Sequence, residues 1–463
     1  MTPMSSSQRS QDRELATLLA PDILALLDES PGDIPVETEE LHPRDLADVA
    51  ELLPHDRLAA FLRALGPARA ADVIEYLDEE IRVRVLEEMS TAQAAEIVSE
   101  MTPDDRADIL EELEQETADE ILHDLPAAAR QETERLLQYE ADTAGGLMTT
   151  EFVSVEQSLT VEAALDQVRA AARSGRKEAM HAIYTVDDRG ALVGVMSLRE
   201  LVAAPPGARV ADVAWTEVVK LPATADREEV TDVTSEYDLV AVPVVDAFDR
   251  IIGVITVDDV IDALVEEQTE DVQKLGAVQP LEEPYFQAGF WSVARKRVGW
   301  LVFLFMGVML TGTAMRQYED TLAAALTLTL FIPLIISSGG NSGSQSSTLI
   351  TRALAVGDVE LRDVMRVLRR EFGQGIVLGT CLGVLGYGRA LLWDTPSDMA
   401  LVVALTLVVV VVAGSVVGAM LPLFFQRINV DPAVASSPFV ASLVDVTGIV
   451  VYFTVAQQLL GLP

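Results

Sequence analysis

Apolar residues follow three rhythms along this chain. From Leu53 to Leu137 a leucine or methionine recurs every twelve residues, and four places before each stands an apolar residue, from Val49 to Ile121, until Thr133 breaks the series. Twelve residues at about 100° each leave a remainder of about 120°, so one continuous helix would carry successive repeats to different faces. Short helices joined by turns keep them on one core. Pro43, Pro54, Pro67, Pro103 and Pro126 fall near the repeat junctions, where proline suits the first helical position. The pattern predicts an α-helical solenoid forming an acidic helical domain over 21–140, with Thr133 as an end cap and a disordered tail over 1–20.

The second rhythm is strand alternation, and it occurs twice. IYTVDDRGALVGVMSLREL at 183–201 and VPVVDAFDRIIGVITVDDV at 242–260 both read as strand, tight turn, strand, helix, with Asp187 matching Asp246, Gly194 matching Gly253 and Ser197 matching Thr256. The duplicated unit resembles a pair of CBS modules, α/β units of β-α-β-β-α order, placed here at 141–207 and 208–268. CBS pairs often bind adenosine nucleotides. That resemblance implies ATP as a candidate ligand and Thr256 with Asp259 as ribose contacts, Arg199 and Asp238 lying nearby; the competing reading is a dimerisation scaffold with an empty cleft.

The third rhythm is apolar runs long enough to cross a bilayer, about 20 residues each. Five can be drawn over 298–463: Val298–Met315, Leu322–Ser338, Phe372–Leu392, Met399–Phe425 and Pro438–Leu460. Basic residues gather before the first, between the second and third, and between the fourth and fifth, so the positive-inside rule puts the N-terminal half in the cytoplasm and the C-terminus outside. Asp445 is the one charge in the last span. An ionised side chain there costs about 3 kcal/mol or more unless it meets water, an ion or a partner, and so reads as functional. The second span ends in Ser337–Ser347 (SSGGNSGSQSS), read as a break in the helix beside protein or a water-filled cavity. The two features suggest an oxygen-lined ion path rather than an anchor for a soluble enzyme.

Charge separates the halves. The first 290 residues hold 22 of the 33 Lys and Arg and 63 of the 73 Asp and Glu, a net of −41, whereas the remainder nets +1. Such an acidic excess argues against nucleic acid and anionic lipid and favours cations. Cys381 is the single cysteine and excludes an intrachain disulfide. The ligand inventory is mostly oxygen, which suits magnesium or calcium over zinc. On the repeat helices Asp72, Asp104, Asp105 and Asp108 are candidate cation ligands against the plainer reading of a solvated face. Asp259, Asp262, Glu266, Glu267, Glu270 and Asp271 crowd the segment leading to a connecting helix expected over 269–297, where like charges four apart weaken a helix unless neutralised.

Helical acidic domain, CBS pair, acidic connector, five spans, GGNSGSQ, the DPA at Asp431–Ala433 and SLVDVTG around Asp445 together resemble the MgtE family of magnesium channels. The resemblance implies a homodimeric, non-enzymatic Mg2+ channel of the cell membrane, with the pore along the two-fold axis and lined by the second and fifth spans. It makes Asp445 the pore carboxylate, with Asn341, Gln345 and Ala441 beside it. It assigns regulatory Mg2+ to Asp72, Asp104 and Asp108, to Asp226, Glu228, Asp259 and Asp262, and to Glu267, Glu270 and Asp271. Ser437 departs from the asparagine of some members. A broader divalent-cation transporter, an ion-coupled transporter and a membrane-tethered sensor are the alternatives.

Overall fold

A computed structural model of the chain describes residues 6–173, 182–281, 285 and 288–462. It divides into two compact units, Met1–Val265 and Glu266–Pro463.

The first unit opens with α1 (Ser6–Glu29) and the short α2 (Ile34–Glu37). The tail expected over 1–20 is therefore helical from Ser6; Ala16, Ile23 and Leu27, spaced at seven and four, bury one face in the helical core. Eight short helices follow in step with the repeat: α3 (Pro43–Leu52), α4 (His55–Leu65), α5 (Pro67–Ile74), α6 (Glu79–Glu88), α7 (Thr91–Val98), α8 (Pro103–Glu112), α9 (Gln115–Asp124) and α10 (Ala127–Leu136). Leu53, Met89, Leu113 and Leu125 are the residues that end their helices, in extended backbone, and their side chains stay buried. The twelve-residue apolar position is thus a turn that plugs the core. Each helix packs on the next but one, α3 on α5 and α4 on α6 onward, with neighbours such as α4 and α5 also in contact. Thr133 keeps its place in the pattern by burying its hydroxyl against the Ala129 carbonyl at 2.8 Å.

The duplicated segment folds as two β-α-β-β-α units. The first comprises β1 (Val153–Glu156), α11 (Val161–Arg173), β2 (Ile183–Val186), β3 (Leu192–Met196) and α12 (Leu198–Ala203). The second comprises β4 (Leu221–Pro222), α13 (Arg227–Tyr237), β5 (Ala241–Val245), β6 (Ile251–Thr256) and α14 (Val257–Leu275). In each sheet the first pair is parallel and the second antiparallel. Asp187 and Asp246 do the same work in the two hairpins: each carboxylate accepts two backbone N–H groups of its own turn, at 2.8 to 3.0 Å. The hairpins meet through Ala191 and Arg250.

The second unit is a bundle. α14 runs unbroken from the end of β6 to Leu275, where Gly276 and Ala277, the latter at φ +57°, turn the chain. The connecting helix expected over 269–297 is therefore the end of α14 and the start of α15 (Phe290–Gln317). α16 (Glu319–Ala324), α17 (Ile332–Ala355), α18 (Val364–Leu392), α19 (Ser397–Arg427) and α20 (Ser437–Leu460) complete it, α19 packing against α17, α18 and α20. Among the described residues four helices are long and apolar enough to cross a membrane: α15, α18 with its leading turn, α19 and α20. The second expected span, Leu322–Ser338, is not one helix. It breaks into α16, a 3-10 stretch Leu326–Phe331 and the start of α17, whose second residue is Pro333, a residue that begins a helix more readily than it continues one. Tyr452 of α20 donates to the Leu328 carbonyl at 2.9 Å and fixes the break.

Candidate functional site

In the first unit, α8 carries Asp104, Asp105 and Asp108 beside Ala107, which enters the same buried cluster as Val260 of α14. The carboxylates therefore flank a packed seam. Asp104 is 6% exposed, and its Oδ1 has no hydrogen-bond partner among the described residues. Burial and the neighbouring Asp105 charge push Asp104 up to about 6; Asp108 keeps its side chain exposed, yet desolvation by the surrounding seam and the charges of Asp104 and Asp105 push it up to about 7. Asp105, which accepts from the Thr102 hydroxyl at 2.5 Å, is also raised by burial. Across the seam Asp262 is raised by burial and by the charges of Asp258 and Asp105. The Tyr76 hydroxyl is raised by burial and by Glu75, Asp258, Asp105 and Asp72. Groups that strain to stay charged can take up either protons or a cation.

The seam thus gathers Asp72, Asp104, Asp108 and Asp262 of the expected regulatory set. It adds Asp258 and Glu75, which the sequence reading did not single out; Asp258 lies one helical turn before Asp262, a signal that spacing alone offers. Among the described residues no three His, Cys, Asp or Glu side chains converge as a metal-holding group. Magnesium commonly keeps several waters and engages one or two carboxylates, so the all-oxygen donors and the orphaned Asp104 oxygen fit a hydrated ion. Asp226 instead caps α13, accepting from the Glu228 N–H at 3.0 Å. Asp259 accepts from the Thr256 hydroxyl at 2.7 Å, which brings together two of the four expected nucleotide contacts. Arg199 is exposed on α12, and Asp238 ends α13 in left-handed backbone at φ 50°.

In the second unit the connector acids have an internal cation. Lys274 reaches Glu270 at 2.6 Å and Asp431 of the DPA motif at 2.7 Å. Burial lowers the ammonium pKa, but the two hydrogen-bonded carboxylates outweigh it and hold the pKa above its usual value. Asp271 is raised by burial and by Asp431. Glu267 lies on the same helix, α14, as these acids. The sequence reading missed Lys274, since its role depends on a residue 157 positions away.

The run Ser337–Ser347 is helical throughout, a correction to its reading as a break. Its glycines serve close approach: a Cβ at Gly418 of α19 would overlap the Gly343 carbonyl, and one at Gly414 that of Gly339. Its serines fasten the helix, Ser342 to Ser415 at 2.7 Å, Ser344 to the Ser437 carbonyl at 3.1 Å, Ser346 to Glu371 at 2.7 Å and Ser347 to the Ala435 carbonyl at 2.7 Å. The amides face the other way. Ser337, Asn341 and Gln345, four apart, form an exposed polar stripe. Beside it Gly340 abuts α20: a Cβ there would lie 3.3 Å from Ala441 Cβ and 3.7 Å from Asp445 Oδ1. Asp445 is half-buried and forms no hydrogen bond or ion pair among the described residues.

A polar helix wedged into an apolar bundle, joined to a CBS pair, marks a multidomain membrane transport protein. Comparison with known proteins makes the class specific. Residues 332–455 match the family described as divalent cation transporter, residues 41–142 the MgtE intracellular N domain, and residues 144–207 and 210–266 the CBS domain. The magnesium transporter MgtE of Thermus thermophilus is 44% identical over 73% of this chain and 74% of its own length, and that of Bacillus subtilis 30% identical over 72% and 73%. The crystal structure of the soluble part of a magnesium transporter is 30% identical, with a TM-score of 0.51, covering 54% of this chain and 99% of that one. The chain belongs to the MgtE family.

Proposed function

We infer that this protein carries Mg2+ across the membrane through a homodimeric pore, and that cytosolic Mg2+ closes it. The observation that carries the reading is the exposed stripe of Ser337, Asn341 and Gln345 on α17, beside Ala441 and the half-buried Asp445. A row of amides and a carboxylate facing outward from an apolar bundle is costly against lipid. A second copy placed across that face encloses it. Two Asp445 carboxylates then face one path, and a hydrated divalent ion can be held through its waters without full dehydration. In this reading α17 with its broken entry is the fifth membrane-crossing element, and the C-terminus is outside.

The seam on α8 and α14 supports the gating half of the proposal. Asp72, Asp104, Asp108 and Asp262 are the residues that would hold regulatory Mg2+, which supplies positive charge to a buried Asp104 and to exposed Asp108 and Asp262 that like charges crowd. An ion bound more tightly by the packed state draws the equilibrium toward it, and several weak sites make the response steep. Asp226, Glu228, Glu267, Glu270 and Asp271 join the set as the family pattern suggests. Thr256 and Asp259, hydrogen-bonded at the start of α14, are the best-supported part of an ATP site reaching toward Arg199 and Asp238. The test of transport is divalent flux into proteoliposomes holding the purified protein, over Mg2+, Mn2+, Co2+ and Ca2+. Mg2+ entry is expected, halted by millimolar Mg2+ on the cytosolic side; absence of any divalent flux would reduce the chain to a tethered sensor.

A further inference from the structure

The carboxylate of Glu371 lies in the helix bundle, on α18, only 6% exposed, at the arginine-rich end of a helix apolar enough to cross the membrane. Its Oε2 accepts a hydrogen bond from the Ser346 hydroxyl of α17 at 2.7 Å, and Ser346 is itself 5% exposed. The other three serine fasteners of α17 end on a serine hydroxyl or on backbone carbonyls, groups that carry no charge. Packing alone would be served by a neutral acceptor, because a buried carboxylate loses its hydration and regains it only through strong, well-placed donors. A charge-assisted bond is also the shorter and stiffer kind.

Position along α17 says what that stiffness controls. Ser346 follows Gln345, and consecutive residues of a helix point about 100° apart, so pinning Ser346 on the closed side fixes Gln345 on the open side. The fasteners at Ser342 and Ser344 hold the turn carrying Asn341; Ser346 and Ser347 hold the turn carrying Gln345. We propose that Glu371 is a positioning residue for ion selection, which sets the rotation of α17 through Ser346 and thereby the placement of the Gln345 amide. This rests on the proposed pore. It assigns to a buried residue 26 positions away in sequence part of the discrimination expected of the stripe.

The experiment measures Mg2+ and Ca2+ uptake in proteoliposomes for the full-length parent and for Glu371→Ala, Glu371→Gln, Ser346→Ala and Gln345→Ala, with thermal unfolding in detergent as the folding control. Loss of one charge-assisted hydrogen bond predicts a Mg2+/Ca2+ preference lower by about tenfold in Glu371→Ala. Glu371→Gln keeps an oxygen acceptor but loses the charge, and its preference falls at or between those of Glu371→Ala and the parent. Glu371→Ala combined with Gln345→Ala adds little to either alone, since both act on one amide. A role confined to stability would lower the unfolding temperature and leave the ion preference alone, which overturns the proposal. Changed preference in Gln345→Ala with parental preference in Glu371→Ala rejects positioning and keeps the pore. Parental preference in Gln345→Ala rejects the role of Gln345, and this inference with it.

Discussion

Crowded carboxylates are handled in two ways in the two units. In the connector and bundle they are answered from within: Lys274 lies between Glu270 and Asp431, and Ser346 donates to Glu371. On the α8 seam they are set against one another, with Asp104 Oδ1 left without a partner and Asp104, Asp105 and Asp108 all raised. The first arrangement already has a partner within the chain, though Glu270 and Asp271 stay in the proposed regulatory set. The second leaves a buried oxygen without one among the described residues, and on the proposed function the difference separates structural acids such as Glu371 from sensing ones. Asp445 stands with the second group though it belongs to the bundle.

The strongest way to break this division is Asp445→Asn, which keeps shape and hydrogen-bonding capacity but deletes the charge. Mg2+ flux in proteoliposomes is expected to fall by at least about tenfold with assembly unchanged; parental flux would return Asp445 to the structural group.

Next comes acid. The folded seam holds protons more tightly than the unfolded chain, since Asp104 at about 6 and Asp108 at about 7 stand above the ordinary 3.8. Stability in Mg2+-free buffer is therefore greatest near pH 4 as far as these groups decide it, and falls as the pH rises toward 7. Thermal unfolding of the full-length protein across that range reads it out. Added Mg2+ should restore stability at pH 7.5 and do little at pH 5, and Asp104→Asn with Asp108→Asn should flatten both responses. Equal Mg2+ stabilisation at the two pH values would show that the ion acts elsewhere.

The smallest effect sharpens the contrast. Lys274→Met removes the internal cation and leaves Glu270, Asp271 and Asp431 together, a copy of the seam. Uncompensated burial predicts about 1–3 kcal/mol of lost stability, seen as faster proteolysis of the connector in Mg2+-free buffer. Mg2+ should now protect it more than in the parent. Unchanged proteolysis would mean that the lysine is incidental.

Local signals were legible where one residue decides one turn. The twelve-residue period marked short helices joined by turns, and Asp187 and Asp246 marked matching hairpins because a turn carboxylate binds its own backbone. The tail over 1–20 was misread because its apolar residues are sparse and gain a face only against the helices that follow. Glycine in the Ser337–Ser347 run was read as breaking the helix; its low propensity there is offset by contact with α19, which no window of sequence contains. The seam was half visible. Acids on α8 could be counted, whereas Asp258 mattered only once α14 lay beside α8, and Glu371 gave no sign until Ser346 met it.

The interruption between Ala324 and Ile332 bears on what changes of length this gene can carry. One residue inserted after Ile332 and before Asn341 would turn every later side chain of α17 by about 100°, exchanging the amide row for the glycine and serine row and unmaking the fit to α19 along with the polar face. The same insertion between Ala324 and Phe331 meets a 3-10 stretch with a non-helical residue, Ala325, at its head, where an added residue leaves the register of α17 unchanged provided Leu328 and Phe331 keep their places in the core. Tolerated indels should therefore collect upstream of Pro333 and vanish from the twenty residues beyond it.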